Sequence, residues 1–370
     1  MFVHYDLIKY LFVAHMRSMM QNRRTNAPKV DIVILNCNSG KSLQETVLSL
    51  KENTDYENYR IIVVDNGSVD NSTAFIKNHR DILLVENHQN LGCPGGLNQA
   101  IPHLKDKYTA FLNDDLIFKD PSWLSVLVSE MEKNKTIGAT GFKLYKYYTP
   151  DIAEMHSTYL DRFSAYAGYV SSPNPKIPQG PHEVPYIGLG AILVRTELFL
   201  KVKFQERYFL YCDDVDFGLK LWFMDYRLKL IPEAWALHKH QTAVKRNLTE
   251  LRMWYLVERN SLLTFLIFTD NRETLRYLPT VLAYRAISIT WMLSKRQKTH
   301  AFGGILAMLG LVFHWRWIKS QKQALKTLRK GDMTYTDVAK KSLYDQIVEE
   351  SRVFKIIKRA SRRLKILHVE

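Results

Sequence analysis

Four short apolar runs in the first third of the chain, each followed by polar residues, constrain the fold most strongly. They span residues 31–35, 60–64, 82–85 and 108–112. Segments with helical periodicity separate them, including residues 42–50 and 93–104. Buried parallel strands are short and continuously apolar, and helices connect them across the faces of the sheet. The pattern therefore predicts an α/β fold with a mostly parallel, doubly wound sheet flanked by helices.

Composition divides the chain into three parts. Residues 1–29 predict an N-terminal amphipathic helix or arm, residues 30–270 the α/β domain, and residues 271–370 a basic helical region. From residue 285 to the end there are 19 lysines and arginines against 6 acids, a net charge of +13 out of +15 for the whole chain. Such a basic region indicates an anionic partner: a membrane surface, a nucleic acid or a phosphorylated acceptor. A solvated basic helix is the alternative.

An uncharged stretch within the basic region indicates contact with a membrane. Residues 299–315 carry no Asp, Glu, Lys or Arg, and 17 residues is just under the roughly 18–20 needed to cross a bilayer. Trp291, Trp315 and Trp317 stand near lysines and arginines, as interfacial anchors do. We therefore expect a membrane-surface helical region rather than a spanning one. An ordinary buried helical hairpin is the alternative.

Cysteine usage and the N-terminal sequence indicate the compartment. Cys37, Cys93 and Cys212 are odd in number and lack metal-type spacing, so a reducing environment fits them. Residues 1–16 are apolar, but the arginines follow this run instead of preceding it, unlike in a signal peptide. We expect a cytoplasmic protein, peripheral on the inner face of the cell membrane.

Three acidic clusters are the candidates for chemistry. They are Asp65, the run Asn113-Asp114-Asp115, and the run Asp213-Asp214-Val215-Asp216. Strand ends or turns would bring them to one edge of the sheet, where carboxylates can hold a divalent cation or act as a base. The 213–216 run opens an amphipathic helix, whose positive end favours an ionised carboxylate. The alternative for the 113–115 run is a helix N-cap, and Asp216 is expected to orient its helix.

Short polar residues after the strands suit a nucleoside ligand. Asn36, Asn38, Asp65 and Gly67 follow the first two strands. The segment from Asn90 to Asn98 places glycines, Gly92 first, before a helix, where the backbone can approach an anionic ligand closely. The segment is not a G-x-G-x-x-G dinucleotide fingerprint. His238, after a later apolar run, is a metal ligand or else a structural histidine.

Taken in order, these motifs resemble the inverting family 2 glycosyltransferases with the GT-A fold, most of all the rhamnosyltransferase-like branch. The resemblance covers about residues 30–262. Its pieces are Ile-Val-Ile-Leu-Asn-Cys-Asn, Val-Val-Asp-Asn-Gly-Ser, Asn-Leu-Gly-Cys-Pro-Gly-Gly-Leu-Asn, Leu-Asn-Asp-Asp, Gly-Leu-Gly-Ala-Ile-Leu-Val-Arg, Asp-Asp-Val-Asp-Phe and Arg-Asn. Two departures are Asp213-Asp214 in place of the usual Glu-Asp, and an Asn-Asp-Asp metal motif that leaves the main ligand open between Asp114 and Asp115.

The resemblance implies a role for each matching residue. Asp214 is the expected catalytic base, and Asp213 is its neighbour that helps place the acceptor. Asp115 and His238 are the expected ligands of Mn²⁺ or Mg²⁺, and Gly190 and Ala191 line the sugar and acceptor pocket. The expected nucleotide and donor site comprises Asn36, Asn38, Asp65, Gly67, Asn90, Gly92, Asn98, Asn113, Asp114 and Arg259.

The implied reaction moves one sugar from a nucleotide-diphospho-sugar to a hydroxyl of a glycan or lipid-linked glycan. A dTDP-rhamnose or UDP-sugar donor is the first expectation. The Gln-x-x-Arg-Trp motif of processive synthases is absent from the sequence, so single-residue transfer is expected. The alternative is a non-catalytic sugar-nucleotide-binding or scaffold protein of the same fold. No nucleic-acid partner is expected, because the tail has no recognisable binding motif; a homo-oligomer is left open.

Overall fold

The computed structural model of the protein describes residues 27–155, 157–171, 178–240 and 248–341. Most of the predicted arm over residues 1–29, and the end of the basic region, lie outside the described residues. The strands are β1 (Val30–Asn36), β2 (Tyr59–Asn66), β3 (Ile82–Asn87), β4 (Tyr108–Asn113), β5 (Leu116–Phe118), β6 (Ile137–Lys146), β7 (Thr149–Met155), β8 (Ser157–Leu160), β9 (Ala167–Val170), β10 (His182–Glu183), β11 (Ala191–Arg195) and β12 (Arg227–His238).

An α-helix or a 3₁₀ helix directly follows six of the twelve described strands. The α-helices are α1 (Ser42–Glu52), α2 (Gly92–Asn98), α3 (Trp123–Lys133), α4 (Thr196–Val202), α5 (Asp213–Phe223), α6 (Glu250–Phe268), α7 (Asn271–Ser294), α8 (Lys298–Leu328) and α9 (Tyr335–Ala339). Short 3₁₀ helices span Ala74–Asn78, Ile101–His103 and Glu206–Tyr208.

One sheet of ten described strands organises the α/β part. Its order is β10-β12-β6-β11-β4-β1-β2-β3, with β5 paired to β12 and β7 to β6. The four strands β3, β2, β1 and β4 are parallel. Strand β11 lies antiparallel between β4 and β6, and β6 is parallel to β12. The α/β prediction is confirmed, with a parallel first half and a mixed second half; β8 and β9 form a separate hairpin.

Apolar side chains fill both faces of the parallel half. Ile32, Val33 and Ile34 of β1 are fully buried, as continuous apolar runs require. On the α3 face, the rings of Phe118, Trp123 and Phe142 lie within 6.1 Å of one another, measured between centroids. Burying each such side chain stabilises the fold by about 1.5–3 kcal/mol.

The C-terminal helices pack on the α/β part and share its core. Tyr277, Ile318 and Tyr335, from α7, α8 and α9, belong to the same buried cluster as the sheet. On α6, the Trp254 ring stacks on His300 of α8, with ring centroids 3.4 Å apart. The predicted helical C-terminal region is therefore confirmed over residues 271–339.

Helix α8 is the one helix of the described part that is long and apolar enough to cross a membrane. It has 31 residues, and the mean hydropathy of its most apolar window is 1.4, with 28% of that window buried. Core helices of soluble proteins can meet the same criterion, so length and composition are weak evidence for a membrane span.

Candidate active site

The acidic and amide side chains converge where β1, β2 and β4 end and α5 begins. Strands β1, β2 and β4 are adjacent and parallel, so Asn36, Asp65 and Asn113 all lie at one edge of the sheet. The backbone N–H of Asn113 donates to the carbonyl of Gly190 at 3.2 Å, which joins the start of β11 to this edge. Sequence reasoning had predicted this convergence from the strand ends alone.

Asp65 is held by a polar cluster that leaves one of its oxygens for other contacts. Asn36 Nδ2 donates to Asp65 Oδ1 at 2.8 Å, and Ser68 Oγ donates to the same oxygen at 2.5 Å. Both hydrogen bonds from described residues go to Oδ1. Asn36 is fully buried and also bonds Ser68 and Ser72, so it orients the Asp65 loop instead of facing a ligand. Asn38 bonds the same loop through its side-chain oxygen, which accepts from Val69 N at 2.8 Å.

The glycine-containing segment before α2 holds two loops together. Gly92 has φ of +78°, and a Cβ there would lie 2.2 Å from the carbonyl oxygen of Phe209, so only glycine fits. Asn90 Oδ1 accepts from Gly92 N at 2.8 Å. Gly67 has φ of +72° and faces the backbone of Gln89 just as closely. This segment therefore links the Asp65 loop to the loop that precedes Asp213.

Two predicted donor residues instead serve the scaffold. Asn98 bonds the backbone of Phe204 in both directions and donates to Glu206 at 2.9 Å. Arg259 Nη2 donates to the carbonyls of Arg207 and Tyr208 at 3.0 and 3.2 Å. In this structure both side chains are committed to one segment, residues 204–208, because its exposed carbonyls and amides need partners near the end of a 3₁₀ helix.

The two acids that follow β4, Asp114 and Asp115, point in different directions. Asp114 Oδ2 accepts from the backbone N–H of Cys37 at 3.3 Å, toward β1. Burial, and then the neighbouring Asp115, raise the pKa of Asp114 to about 7. Asp115 Oδ1 lies 3.1 Å from Nε2 of His238 at the end of β12. Of the two acids, Asp115 is therefore the one beside the predicted metal-binding histidine.

His238 is the centre of a cluster that sequence reasoning found only in part. Its Nδ1 lies 3.0 Å from Glu154 Oε2, and Glu154 also pairs with His240. One ligand atom each from Glu154, His238 and His240 lie within 4.8 Å of one another. Burial alone would lower the pKa of His238, but hydrogen bonds to Asp115 and Glu154 outweigh it and raise the pKa to about 10. Glu154 was missed because it reaches the site only through the β6–β7 pairing.

This donor set fits a divalent cation. Carboxylate oxygens and an imidazole are ordinary ligands, and a cation here would take the place of the His238 proton, since a metal-binding imidazole must be neutral. An imidazole ligand suits a transition-metal ion better than Mg²⁺, which prefers oxygen ligands.

Asp213 and Asp214 line a separate cavity of about 370 Å³, next to Asn113 and Gly190. Tyr169 Oη donates to Asp214 Oδ2 at 3.2 Å, and Asp214 Oδ1 accepts from Val215 N at 2.8 Å. Burial and the adjacent Asp213 raise the pKa of Asp214 to about 7. The helix terminus therefore does not keep Asp214 strongly acidic, since burial outweighs it.

The loop before Asp213 is strained and clamped. Phe209, Tyr211 and Cys212 have positive φ angles of 63°, 68° and 60°, which non-glycine residues rarely adopt. The side-chain amide of Asn260 donates to the carbonyls of Tyr208, Leu210 and Tyr211 at 2.7–3.0 Å. Asn260 is fully buried in α6, so a helix beyond the sheet fixes the loop that presents the two acids.

Gly190 and Ala191 stand at the start of β11, where Gly190 faces the side chain of Asn113. A Cβ on Gly190 would fall 2.3 Å from Asn113 Cγ, so the glycine makes room for that side chain. Ala191 is fully buried at the start of β11, with its backbone N–H donating to Gly188 O at 3.0 Å. Gly190 lines the cavity, whereas Ala191 is not among the lining residues.

A parallel half-sheet that ends in acids, followed by a mixed half that supplies a second acidic pair at a helix start, is the GT-A architecture of nucleotide-diphospho-sugar transferases. In line with this, residues 31–189 match the sequence model of glycosyl transferase family 2, and the chain contains a domain of that family.

Curated relatives and solved structures agree with this assignment. The chain is 27% identical over 235 residues to the O-antigen biosynthesis protein RfbC of Myxococcus xanthus, covering 59% of this chain and 18% of that protein. It is 25% identical over 203 residues to the rhamnosyltransferase WbbL of Escherichia coli, covering 50% of this chain and 75% of that protein. The crystal structure of GalNAc-T7 with UDP, GalNAc and Mn²⁺ shares the fold, with a TM-score of 0.57 at 16% identity over 79% of this chain and 58% of that one. The chain thus spans less than a fifth of the Myxococcus relative.

Proposed function

We propose that the protein is an inverting, metal-dependent glycosyltransferase that moves a single sugar from a nucleotide-diphospho-sugar to a hydroxyl of a glycan or lipid-linked glycan. One observation carries the proposal: Asp214, with its pKa raised to about 7, lines a cavity beside Asn113, at the strand end that also carries Asp114 and Asp115. A buried carboxylate with a pKa near neutrality can exchange a proton with an acceptor hydroxyl.

In the proposed reaction, Asp214 takes the proton of the acceptor hydroxyl as its O–H bond breaks. The acceptor oxygen forms the new bond to the anomeric carbon, and the bond from that carbon to the diphosphate breaks, with its electron pair leaving on the nucleoside diphosphate. Tyr169, which donates to Asp214 Oδ2, orients the carboxylate. Asp213, buried beside it, raises the proton affinity of Asp214 through like charge.

A divalent cation would be held by Asp115 and His238, with Glu154 and His240 behind them. When bound, it would supply charge neutralisation for the leaving diphosphate. The Mn²⁺ named with the GalNAc-T7 structure agrees with this ligand chemistry. Asp65, with one oxygen not engaged by the cluster around it, is the proposed contact for the nucleoside.

The proposed donor is a dTDP- or UDP-sugar, with rhamnose first, which the likeness to WbbL supports. The proposed location is the cytoplasmic face of the cell membrane, where a lipid-linked acceptor would lie. Exposed apolar side chains on α7 and α8, including Trp291 and Phe313, support peripheral contact with an anionic membrane there.

Donor class is tested by thermal stabilisation with UDP, dTDP and GDP, each with and without Mn²⁺. A ligand at about 100 times its dissociation constant adds roughly 2.7 kcal/mol of stability. We expect one nucleotide to raise Tm in a Mn²⁺-dependent manner, and Asp115→Asn to lose the metal-dependent part. If no nucleotide shifts Tm, the sugar-nucleotide assignment fails.

Turnover separates the enzyme from a non-catalytic protein of the same fold. Asp214→Asn should lower transfer about 10²- to 10⁴-fold while leaving nucleotide stabilisation unchanged, because Asp214 acts on the acceptor. Full activity in Asp214→Asn would refute its role as base. A wild-type protein that binds nucleotide but forms no product would favour the non-catalytic alternative.

A further inference from the structure

A second cavity, of about 440 Å³, lies between the end of α6, the start of α7 and the C-terminal half of α8. It shares no lining residue with the acidic cavity. Its floor is apolar and includes Phe223, Ile267 and Leu325. We call it the basic cleft, because Lys319, Lys322, Lys326 and Arg329 line it.

Positive charge in the basic cleft exceeds the negative charge around it. Within the described residues, none of the four cations makes an ion pair with a carboxylate. Asp270 is the one acid of the lining, and Asp270 and Glu273 both act electrostatically on Lys322. Four cations thus face one lining carboxylate, and such an excess of positive charge attracts an anion.

Neighbouring groups hold the cations in place. Lys322 Nζ donates to the carbonyl of Thr269 at 2.9 Å, and burial lowers the pKa of Lys322. The guanidinium of Arg329 lies 4.6 Å from the centroid of the Phe223 ring. Lys322 is therefore half-buried against the cleft, whereas Arg329 lies over the Phe223 ring and stays exposed.

The basic cleft continues directly into an exposed apolar surface. Lys319 Nζ lies 5.1 Å from the centroid of the Trp315 ring, one turn earlier on α8. On the same side of α8, Trp315 itself is 53% exposed, and Val312, one turn before it, is 78% exposed. Soluble anions and nucleic acids would use the cations but not these apolar side chains. A lipid surface uses both, since apolar groups enter the acyl layer while cations meet the headgroup phosphates.

We propose that the basic cleft binds the phosphate of an anionic phospholipid headgroup while Val312 and Trp315 enter the acyl layer. This inference rests on the membrane location given under the proposed function and adds the lipid that is bound. It can be tested separately from sugar transfer, because vesicle binding does not require the reaction.

The test is co-flotation of the full chain with vesicles of phosphatidylcholine alone or with about 30% phosphatidylglycerol, an anionic lipid. Lys322→Gln/Lys326→Gln removes two charges from the cleft. Lys77→Gln/Lys119→Gln removes two exposed charges elsewhere and is the matched control. We expect the cleft variant to bind the anionic vesicles about thirtyfold more weakly, from about 1 kcal/mol per lysine at an anionic surface, and the control to bind nearly as well as wild type.

Trp315→Ser provides the second arm and should weaken binding to both vesicle types. Unchanged Tm in each variant confirms folding, and the amide introduced by Lys322→Gln can still donate to the Thr269 carbonyl. An equal loss of vesicle binding in the cleft and control variants would show that only net charge matters and would overturn the proposal. Unchanged vesicle binding in the cleft variant would overturn it too. Inorganic phosphate that releases the protein at constant ionic strength would identify a free-anion site instead. Transfer to a soluble acceptor should be unaffected in the cleft variant, so vesicle binding without any transfer by wild type would refute the proposed function and leave the lipid site standing.

Discussion

Arg285 of α7 is a buried cation that joins the C-terminal helices to the wall of the acidic cavity. Its side chain is 1% exposed. Nη1 donates to the carbonyl of Ser164 and Nη2 to the hydroxyl of Ser261, each at 2.7 Å. Nε lies 2.8 Å from Glu258 Oε2, an ion pair without the alignment of a hydrogen bond. The guanidinium also stacks 3.8 Å from the centroid of the Tyr166 ring, which lines the cavity.

Replacing Arg285 with methionine roughly keeps its length and removes its charge. Glu258 would remain buried with no cation beside it, and removing one partner of a buried pair costs about 3–5 kcal/mol. That is a large part of the roughly 5–15 kcal/mol that stabilises a typical domain. Replacing both partners by apolar residues is often neutral, so Arg285→Met/Glu258→Leu should be less destabilised than Arg285→Met alone.

Urea and thermal unfolding of the two single variants and the double variant measure the coupling between Arg285 and Glu258. Lys133→Met is the control, because Lys133 is exposed and its 3.5 Å pair with Glu130 should be worth about 1 kcal/mol or less. If the two single effects add in the double variant, or if Arg285→Met is as mild as Lys133→Met, the pair does not hold the structure as argued.

Three further predictions concern the acidic cavity and its loop. The pKa of Asp214 is raised from 3.8 to about 7, so folding favours the protonated acid and stability falls as pH rises between these values. Asp214→Asn should therefore raise Tm by several degrees at pH 8 and by much less near pH 4, in thermal scans at both pH values. Gly92→Ala should cost about 1–3 kcal/mol in urea unfolding, because its φ is positive and the Phe209 carbonyl is in the way, whereas Gly331→Ala, with open space around it, should change little. Asn260→Ala frees three loop carbonyls and should lower kcat for sugar transfer with little change in nucleotide affinity; an unchanged kcat would show that the loop holds its shape without the clamp.

The parallel half of the sheet was predictable because its physics is local. A continuously apolar run of about five residues is best satisfied by burial on both faces, as in β1, β2 and β4. The edge strand β3 also forms on such a run, although Leu83 is 38% exposed. The direction of β11 was not predictable in the same way, since the apolar pattern of a strand does not indicate whether it pairs parallel or antiparallel. Its antiparallel entry follows from the turn closed by Ala191 N and Gly188 O.

The part of the site that could be predicted is the set of acids that stand at strand ends or at the start of a helix. Glu154 was missed because its place depends on the pairing of β7 with β6, a long-range contact without a sequence signal. Asn98 and Arg259 were expected at the donor but bond backbone groups of residues 204–208, since polar side chains near an irregular segment are used first to satisfy it. Arg285 interrupts an apolar stretch, and a charge in such a position signals a buried partner as readily as a membrane surface.

The C-terminal helices support the buried acids of the cavity through direct contacts. Asp114, Asp213 and Asp214 all have raised pKa values because folding desolvates them, so ionising these acids near neutral pH costs stability. The compensation comes from outside the sheet: Asn260 of α6 clamps the acidic loop, and Arg285 of α7 neutralises Glu258 behind the cavity wall. The predicted boundary at residue 270 falls between α6 and α7, and the buried core includes residues on both sides of it. Helices α6, α7 and α8 thus connect the acidic loop to the exposed apolar side chains and the basic cleft, so the proposed membrane contact lies on the same helices that support the cavity.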